Sequence, residues 1–245
     1  ALPPVRPPFS GCDDFGLSAS MHPAKEVGGD FYDFFLIDQD HCGVVIADVS
    51  GKGVPAALFM MRVKALLNQL LREDLSPDQV LARANDGLCE DNEAGMFVTV
   101  WLGVLDLRSG KLVYANGGHN PPLYRHADGS VEWMRDRSGL LLGSFEGVPY
   151  RVFERTMIRG DSLILYTDGV TEAMDASDHC YGDERLFQLV ERECDGYPAS
   201  VSGVIEEDVR AFAEGADQAD DITLLVLRYD GQENGPAASA AGNRG

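Results

Sequence analysis

Short apolar runs bounded by Gly, Asp, Asn or Pro recur along the chain, and their length and spacing predict β-strands. The run at residues 162–166 is too short for a helix and leads into the turn-forming pair Asp168-Gly169. Other runs are paired about short turns such as Arg108-Ser109-Gly110, which indicates antiparallel hairpins. The predicted strands are Phe9–Ser20 at a sheet edge, Phe31–Ile37, Gly43–Asp48, Phe97–Leu107, Lys111–Asn116, Leu123–His126, Val131–Met134, Tyr150–Ile158, Ser162–Thr167 and Ile222–Leu227.

Between these strands the apolar spacing changes to that of helices. Ser76 followed by Pro77 supplies an N-cap and a proline at the first helical position, which marks the start of one of them. Because paired strands are interrupted by paired helices, the pattern predicts an α+β layered fold rather than a doubly wound parallel sheet. The predicted helices are Val54–Leu71, Ser76–Asn92, Asp183–Cys194 and Ala199–Glu214.

The first of these helices has Pro55 in its first turn and an apolar stripe that we expect to face the core. The stripe predicted from the spacing consists of Val54, Ala57, Leu58, Met61, Ala65 and Leu66.

The composition is that of a globular protein with a substantial core: 245 residues, of which 44% are hydrophobic and 24% charged. We predict one folded domain at 9–229, between a Pro-rich N-terminal segment at 1–8 and a disordered tail at 230–245 that is rich in Gly, Ala, Ser and Asn. Since the chain does not begin with Met, we expect it to be a piece of a longer protein.

A formal net charge of -20 opposes any binding that depends on neutralising phosphates. Nucleic acids and anionic membranes are therefore not expected as partners, and no apolar run approaches the roughly 20 residues of a membrane span. The five cysteines form no CxxC pair and are interpreted as reduced thiols, which favours a cytoplasmic location.

Three acidic turns stand out because each lies at the end of an apolar strand: Asp48, Asp168 and Asp220. Any one of them could be an ordinary turn residue, since Asp and Gly are common at strand ends. Taken together, they favour a single carboxylate site for a hard cation. Oxygen ligands without nearby His or Cys favour Mg²⁺, Mn²⁺ or Ca²⁺ over zinc.

Two other groups have a structural and a functional interpretation. Lys52 lies in a Gly-Lys-Gly turn that lacks the spacing of a nucleotide-binding phosphate loop, so we expect a solvated loop residue. His119, in a His-Asn-Pro turn, is interpreted as structural at least as readily as catalytic. Neither a CxxxxxR loop nor a GxSxG elbow is present to supply a side-chain nucleophile.

Five segments in a fixed order resemble the metal-dependent serine/threonine protein phosphatases of the protein phosphatase 2C type, in the bacterial SpoIIE-like and RsbU-like branch. The resemblance extends over residues 9–229. The segments are VGGDFYD at 27–33, DVSGKGVPAAL at 48–58, NGGHNPPL at 116–123, TDGVTEA at 167–173 and ADDITLLVLR at 219–228.

This resemblance implies a sandwich of two antiparallel β-sheets flanked by α-helix pairs, with two Mn²⁺ or Mg²⁺ ions at one end. By motif position Asp48 would bridge both ions, the Val49 carbonyl would support one, and Asp168 and Asp220 would hold the other. Asp30 would orient the attacking water and completes the implied catalytic set with Asp48, Asp168 and Asp220. Asp221 would stand behind the ligands without holding an ion.

The resemblance further implies hydrolysis of phosphoserine or phosphothreonine, with a phosphorylated STAS-type anti-sigma factor antagonist as the substrate in a partner-switching stress response. It also implies that the chain is the output domain of a longer, sensor-linked protein. A homodimer is compatible with the resemblance, and helix Val54–Leu71 would transmit dimer contacts to the Asp48 turn. Two alternatives remain open: a non-catalytic module that binds a phosphoprotein, and a phosphomonoesterase for small molecules.

Overall fold

Two five-stranded antiparallel sheets form the centre of the computed structural model, which describes residues 15–73, 75–90 and 92–231. In one sheet the strand order is β1-β10-β9-β6-β7, and in the other it is β2-β3-β4-β5-β8. The strands are β1 (Phe15–His22), β2 (Phe31–Leu36), β3 (His41–Val49), β4 (Val98–Asp106), β5 (Lys111–Gly117), β6 (Leu123–Arg125), β7 (Val131–Trp133), β8 (Phe153–Thr156), β9 (Ser162–Tyr166) and β10 (Ile222–Tyr229).

Helices cover the outer face of each sheet. The helices α1 and α2 pack on the sheet that contains β3, and α4 and α5 pack on the sheet that contains β9 and β10. Within the described part of the chain, no helix has the length and apolar character to cross a bilayer. The helices are α1 (Val54–Leu70), α2 (Pro77–Cys89), α3 (Asp168–Thr171), α4 (Asp183–Glu193) and α5 (Pro198–Phe212).

Strand β3 shows why the central strands are apolar without a break. Val44 and Ile46 point into the core between the two sheets, whereas Val45 and Ala47 point outward into the core beneath α1 and α2. Because alternate side chains of a strand face opposite sides, a strand in the middle of a four-layer structure is buried on both faces. The layers therefore confirm the predicted α+β sandwich.

The predicted strands and long helices are confirmed, with ends that differ by a few residues. The largest shortening is at the strand predicted for 150–158, which is only Phe153–Thr156, and α2 ends at Cys89 instead of Asn92. The short helix α3 was not predicted. The predicted Pro-rich segment 1–8, residues 9–14 of the predicted strand Phe9–Ser20 and nearly all of the predicted tail 230–245 lie outside the described residues, and the domain boundaries stay predictions.

The apolar stripe predicted for α1 is wrong. The buried positions are Ala56, Phe59, Val63, Leu67 and Leu70, which form a stripe at helical spacing on a different face. Of the predicted stripe, Val54, Leu58 and Met61 are 64%, 68% and 59% exposed. The helix is apolar on two faces, and the face with Phe59 is the one that packs against the sheet containing β3 and against α2.

Candidate metal centre

The predicted aspartates meet at one end of the sandwich because of how the strands pair. In one sheet, the start of β2 lies beside the end of β3, with Phe31 opposite Ala47, so Asp30 and Asp48 are neighbours. In the other sheet, the end of β9 lies beside the start of β10, with Tyr166 opposite Leu224. Asp168 follows β9 and Asp220 precedes β10. Both sheets present these ends on the same side of the molecule.

Asp30 links the two sheets at this end. Its Oδ2 accepts hydrogen bonds from the hydroxyl groups of Thr167 and Thr223, each at 2.7 Å. Thr167 directly follows β9 and Thr223 lies in β10, whereas Asp30 directly precedes β2 of the other sheet. The carboxyl group is only 2% exposed. Two buried hydroxyl donors therefore fix its orientation towards Asp48.

The carboxylates are crowded enough to perturb one another. Burial, followed by the nearby charge of Asp168, raises the pKa of Asp48 to about 7, although a hydrogen bond with Asp30 opposes the rise. Burial and the charge of Asp48 also raise the pKa of Asp30. The pKa of Asp168 is raised by burial and then by the charges of Glu172 and Asp220. This end of the sandwich therefore carries more negative charge than its own cations neutralise.

Asp221 uses both carboxylate oxygens on backbone amides. Oδ1 accepts from the amide of Ala24 and Oδ2 from that of Gly29, each at 2.8 Å. These bonds tie the loop between β1 and β2, which carries Asp30, to the start of β10. The observed contacts agree with a supporting position for Asp221 rather than a ligand position.

Lys52 is an exposed loop residue, as predicted, and its ammonium group is also paired within the site. Its ammonium group lies 2.9 Å from Oδ2 of Asp220 and donates to the Ala219 carbonyl oxygen at 2.6 Å. The Asp220 carboxylate in turn raises the pKa of Lys52. A cation of the chain itself is therefore paired with one of the predicted metal ligands.

The donor set fits a hard divalent cation. Asp48, Asp168 and Asp220 offer only oxygen, and the Val49 carbonyl oxygen faces the loop at Gly29, where an added Cβ would lie 2.9 Å away. Burial is the largest cause of the raised pKa values of Asp48 and Asp168, and neighbouring carboxylates add to it, so a bound cation would favour the ionised form of both groups. Among the described residues, no three His, Cys, Asp or Glu side chains are grouped closely enough to hold an ion as they stand, and Asp220 is paired with Lys52.

Two glycines, Gly28 and Gly169, permit close approach between segments at this end. A Cβ on Gly169 would lie well inside 3.0 Å of the Asp221 carbonyl oxygen, and one on Gly28 would clash with the Asp221 carboxylate. Only glycine therefore lets α3 and the β1–β2 loop reach the start of β10.

His119 is buried beneath the site, and its structural interpretation is supported. Its Nδ1 lies 2.9 Å from the hydroxyl oxygen of Thr99, the residue opposite Asp48 in the β3–β4 pair. Burial lowers the pKa of His119 to about 4, so the ring is neutral at physiological pH. Asn116 closes the turn around it by accepting from its amide at 2.8 Å and donating to its carbonyl at 3.0 Å.

The sequence reasoning missed the threonines that hold Asp30. Thr223 occupies a fully buried position in β10, where its neighbours at 224–227 are all apolar. A hydroxyl group at such a position requires a buried hydrogen-bond partner. A threonine inside an apolar strand was therefore the sequence signal that could have identified Thr223.

Comparisons with known proteins agree with this geometry. The phosphoserine phosphatase RsbU of Bacillus subtilis is 30% identical to this chain over 212 residues, which cover 86% of the chain and 62% of RsbU. The solved SiaA-PP2C domain of Pseudomonas aeruginosa superposes with a TM-score of 0.78 at 21% identity, covering 87% of this chain and 86% of that domain. The solved catalytic domain of the serine threonine protein phosphatase PstP, in complex with two manganese ions, gives a TM-score of 0.62 at 15% identity, covering 87% and 97%.

The chain spans about three fifths of the length of RsbU. The model of the Stage II sporulation protein E (SpoIIE) family matches residues 38–230, which include β3, β9, β10 and the three predicted ligand aspartates. The chain belongs to the SpoIIE family.

Proposed function

We propose that this chain is a Mn²⁺- or Mg²⁺-dependent phosphatase that hydrolyses phosphoserine or phosphothreonine in a protein substrate. The observation that carries the proposal is the meeting of Asp48, Asp168 and Asp220 with the buried Asp30 at one end of the sandwich. The similarity to RsbU, a phosphoserine phosphatase, supports the phosphatase activity. The two manganese ions in the structure of PstP support the dependence on a metal.

Each residue has a defined part in this proposal. Asp48, from one sheet, and Asp168 and Asp220, from the other, would hold two ions together with the Val49 carbonyl. Bound there, the ions would activate water for in-line attack and neutralise the phosphoryl oxygens. Asp30, held by Thr167 and Thr223, stays beside Asp48 and would accept or orient a proton of the attacking water. To bind an ion, Asp220 would exchange its contact with Lys52.

The proposed substrate is a phosphorylated STAS-type anti-sigma factor antagonist in a cytoplasmic partner-switching pathway. The similarity to RsbU and membership of the SpoIIE family support this choice over a small metabolite. The non-catalytic alternative is less well supported, because a pure binding module has no need for mutually repelling buried carboxylates.

Phosphate release tests the activity. We expect turnover of p-nitrophenyl phosphate and of a phosphoserine peptide with Mn²⁺, none with EDTA, and a loss of at least about a hundredfold in Asp168→Asn, because a neutral amide is a weaker ligand for a hard ion. Asp178→Asn, a change in the exposed loop after α3, is the matched control and should keep full activity.

The same assay separates the alternatives. Faster turnover of small phosphate esters than of any phosphoprotein would favour the phosphomonoesterase. Binding of a phosphoprotein that survives EDTA, with no phosphate released at any Mn²⁺ concentration, would contradict the enzymatic proposal and favour the binding module.

A homodimer through α1 is the second part of the proposal, and it is supported by the exposed stripe of Val54, Leu58 and Met61. Apolar side chains on one face of a helix indicate a contact surface. The stripe begins directly after the turn that carries Lys52 and follows Asp48, so a partner on α1 would lie against the site.

Sedimentation velocity tests the homodimer. We expect the wild type to dimerise in a concentration-dependent way and Leu58→Glu to weaken the dimer at least about tenfold, because it places a charge in an apolar contact. Ile158→Glu, at a similarly exposed apolar residue before β9, is the control. A wild type that stays monomeric at all concentrations would exclude this part of the proposal for the chain.

A further inference from the structure

A groove of about 690 Å³ opens directly beside the candidate metal centre. It lies between the second half of α5, the segment 213–220 and the residues that follow α3. Lys52, Gly169 and Asp220 line both the groove and the metal centre, so the two are continuous. Its volume is within the range of pockets that bind drug-sized ligands, and it is therefore large enough for several side chains of a peptide.

The floor of the groove is apolar. Val209 and Leu224 are buried at its base, and Ile222 and Ala213 are partly buried there. Met174 lies on the wall and is 39% exposed. An unbranched thioether adapts its shape to different partners, so this wall suits an apolar side chain of variable form.

The rim of the groove is acidic and its charge is largely uncompensated. Glu206 is engaged by the Ser20 hydroxyl and by His22 at 3.6 Å, and Asp220 is engaged by Lys52. Among the residues that the structure describes, no Lys, Arg or His lies within salt-bridge distance of the other four lining carboxylates. These four carboxylates are Glu172, Glu207, Glu214 and Asp217. Besides Lys52 and His22, the basic residue that lines the groove is Arg210.

We propose that this groove docks a segment of the protein substrate that flanks the phosphoserine and carries basic residues and one apolar anchor. This inference rests on the proposed phosphatase function and names the sequence class of its substrate. Lys or Arg side chains would complement the rim carboxylates, and the anchor would cover the floor. The phosphorylated side chain would then reach the metal centre at the end of the groove. Bound metal ions would attract the phosphate there, whereas the acidic rim elsewhere would repel it.

A second copy of this chain is a poor occupant of the same groove. With 40 acidic and 20 basic side chains, a second copy has few basic segments to offer the acidic rim, whereas the dimer contact proposed on α1 is apolar. A small phosphate ester would leave the apolar floor uncovered. The charge of the rim therefore favours a basic protein segment.

Fluorescence anisotropy tests the docking with two labelled phosphoserine peptides that share one apolar anchor but carry either two Lys or two Glu beside the phosphoserine. We expect the wild type to bind the Lys peptide at least about tenfold more tightly at 0.15 M salt, because each rim charge contributes a modest attraction. Glu207→Lys combined with Asp217→Lys should bring the two affinities within about twofold of each other.

The matched control reverses two exposed charges on α4, which does not line the groove: Glu191→Lys combined with Glu193→Lys. Both double variants change the net charge by the same amount, so preserved discrimination in this control assigns the effect to the groove. Equal affinity of the wild type for the two peptides, or equal loss in both double variants, would overturn the proposal.

Turnover of p-nitrophenyl phosphate keeps this test separate from the test of the proposed function. We expect it to stay within about twofold of wild type in Glu207→Lys combined with Asp217→Lys, since rim charges act on docking, while kcat/KM for the Lys peptide falls about tenfold. Charge-selective binding without turnover in any protein would refute the phosphatase and leave the groove standing. Normal turnover together with equal binding of the Lys and Glu peptides would refute only the proposed docking groove.

Discussion

Asp48→Asn is expected to reduce Mn²⁺-dependent phosphate release at least about a thousandfold while making the metal-free fold more stable above pH 7. The loss of activity follows from the proposed role of Asp48 as the ligand shared by both ions. The gain in stability follows from its surroundings, because burial and the charge of Asp168 raise the pKa of this carboxyl group to about 7.

The direction of the pH effect follows from proton binding. The unfolded carboxyl group has a pKa of about 3.9, so between about pH 4 and pH 7 the folded protein binds more protons at Asp48 than the unfolded protein does. The free energy of unfolding therefore falls as the pH rises through this window, by about 1–3 kcal/mol for a group that is partly solvated. In Asp48→Asn this part of the slope is absent.

Thermal unfolding in EDTA from pH 5 to pH 8, with and without added Mn²⁺, measures both effects. The wild type should lose stability with rising pH and regain it with Mn²⁺, whereas Asp48→Asn should show a flatter pH profile and little response to Mn²⁺. Asp128→Asn is the control, since Asp128 lies in an exposed turn where its carboxylate accepts from the amide and the hydroxyl group of Ser130. Equal Mn²⁺ stabilisation of Asp48→Asn and wild type would refute the assigned role.

Gly169→Ala is expected to destabilise the metal-free fold by about 2–4 kcal/mol and to abolish the stabilisation by Mn²⁺. A Cβ at this position would lie well inside 3.0 Å of the Asp221 carbonyl oxygen, which is backbone and has no side-chain freedom to move aside. Relief requires α3 to separate from the start of β10, and that movement takes Asp168 away from Asp220.

Gly203→Ala is the matched control for that substitution. Gly203 lies within α5, and an added Cβ there would meet nothing within 4 Å. Because alanine has the higher helix propensity, we expect a gain of about 0.5–1 kcal/mol with unchanged Mn²⁺ response. Urea unfolding with and without Mn²⁺ tests the pair, and equal effects of the two substitutions would contradict the close approach at Gly169.

The local sequence pattern was sufficient to predict the ten strands, the four long helices and the candidate metal ligands. The apolar runs placed Asp48, Asp168 and Asp220 at strand ends. This was possible because both the alternation of a strand and the turn beside it depend on residues that are neighbours in sequence. The motif resemblance added that these ends meet, although they lie about 50 to 170 residues apart along the chain and no local pattern relates them.

The sequence by itself therefore determined the layered α+β fold, its strands and four long helices, and the acidic residues that line one end of the sandwich. Only the tertiary structure decided which face of α1 is buried, that Lys52 pairs with Asp220, that Asp221 holds backbone amides, and that two threonines orient Asp30. Each of these depends on which distant groups come within hydrogen-bond or packing distance, and that is set by the docking of the two sheets and their helices rather than by any local spacing.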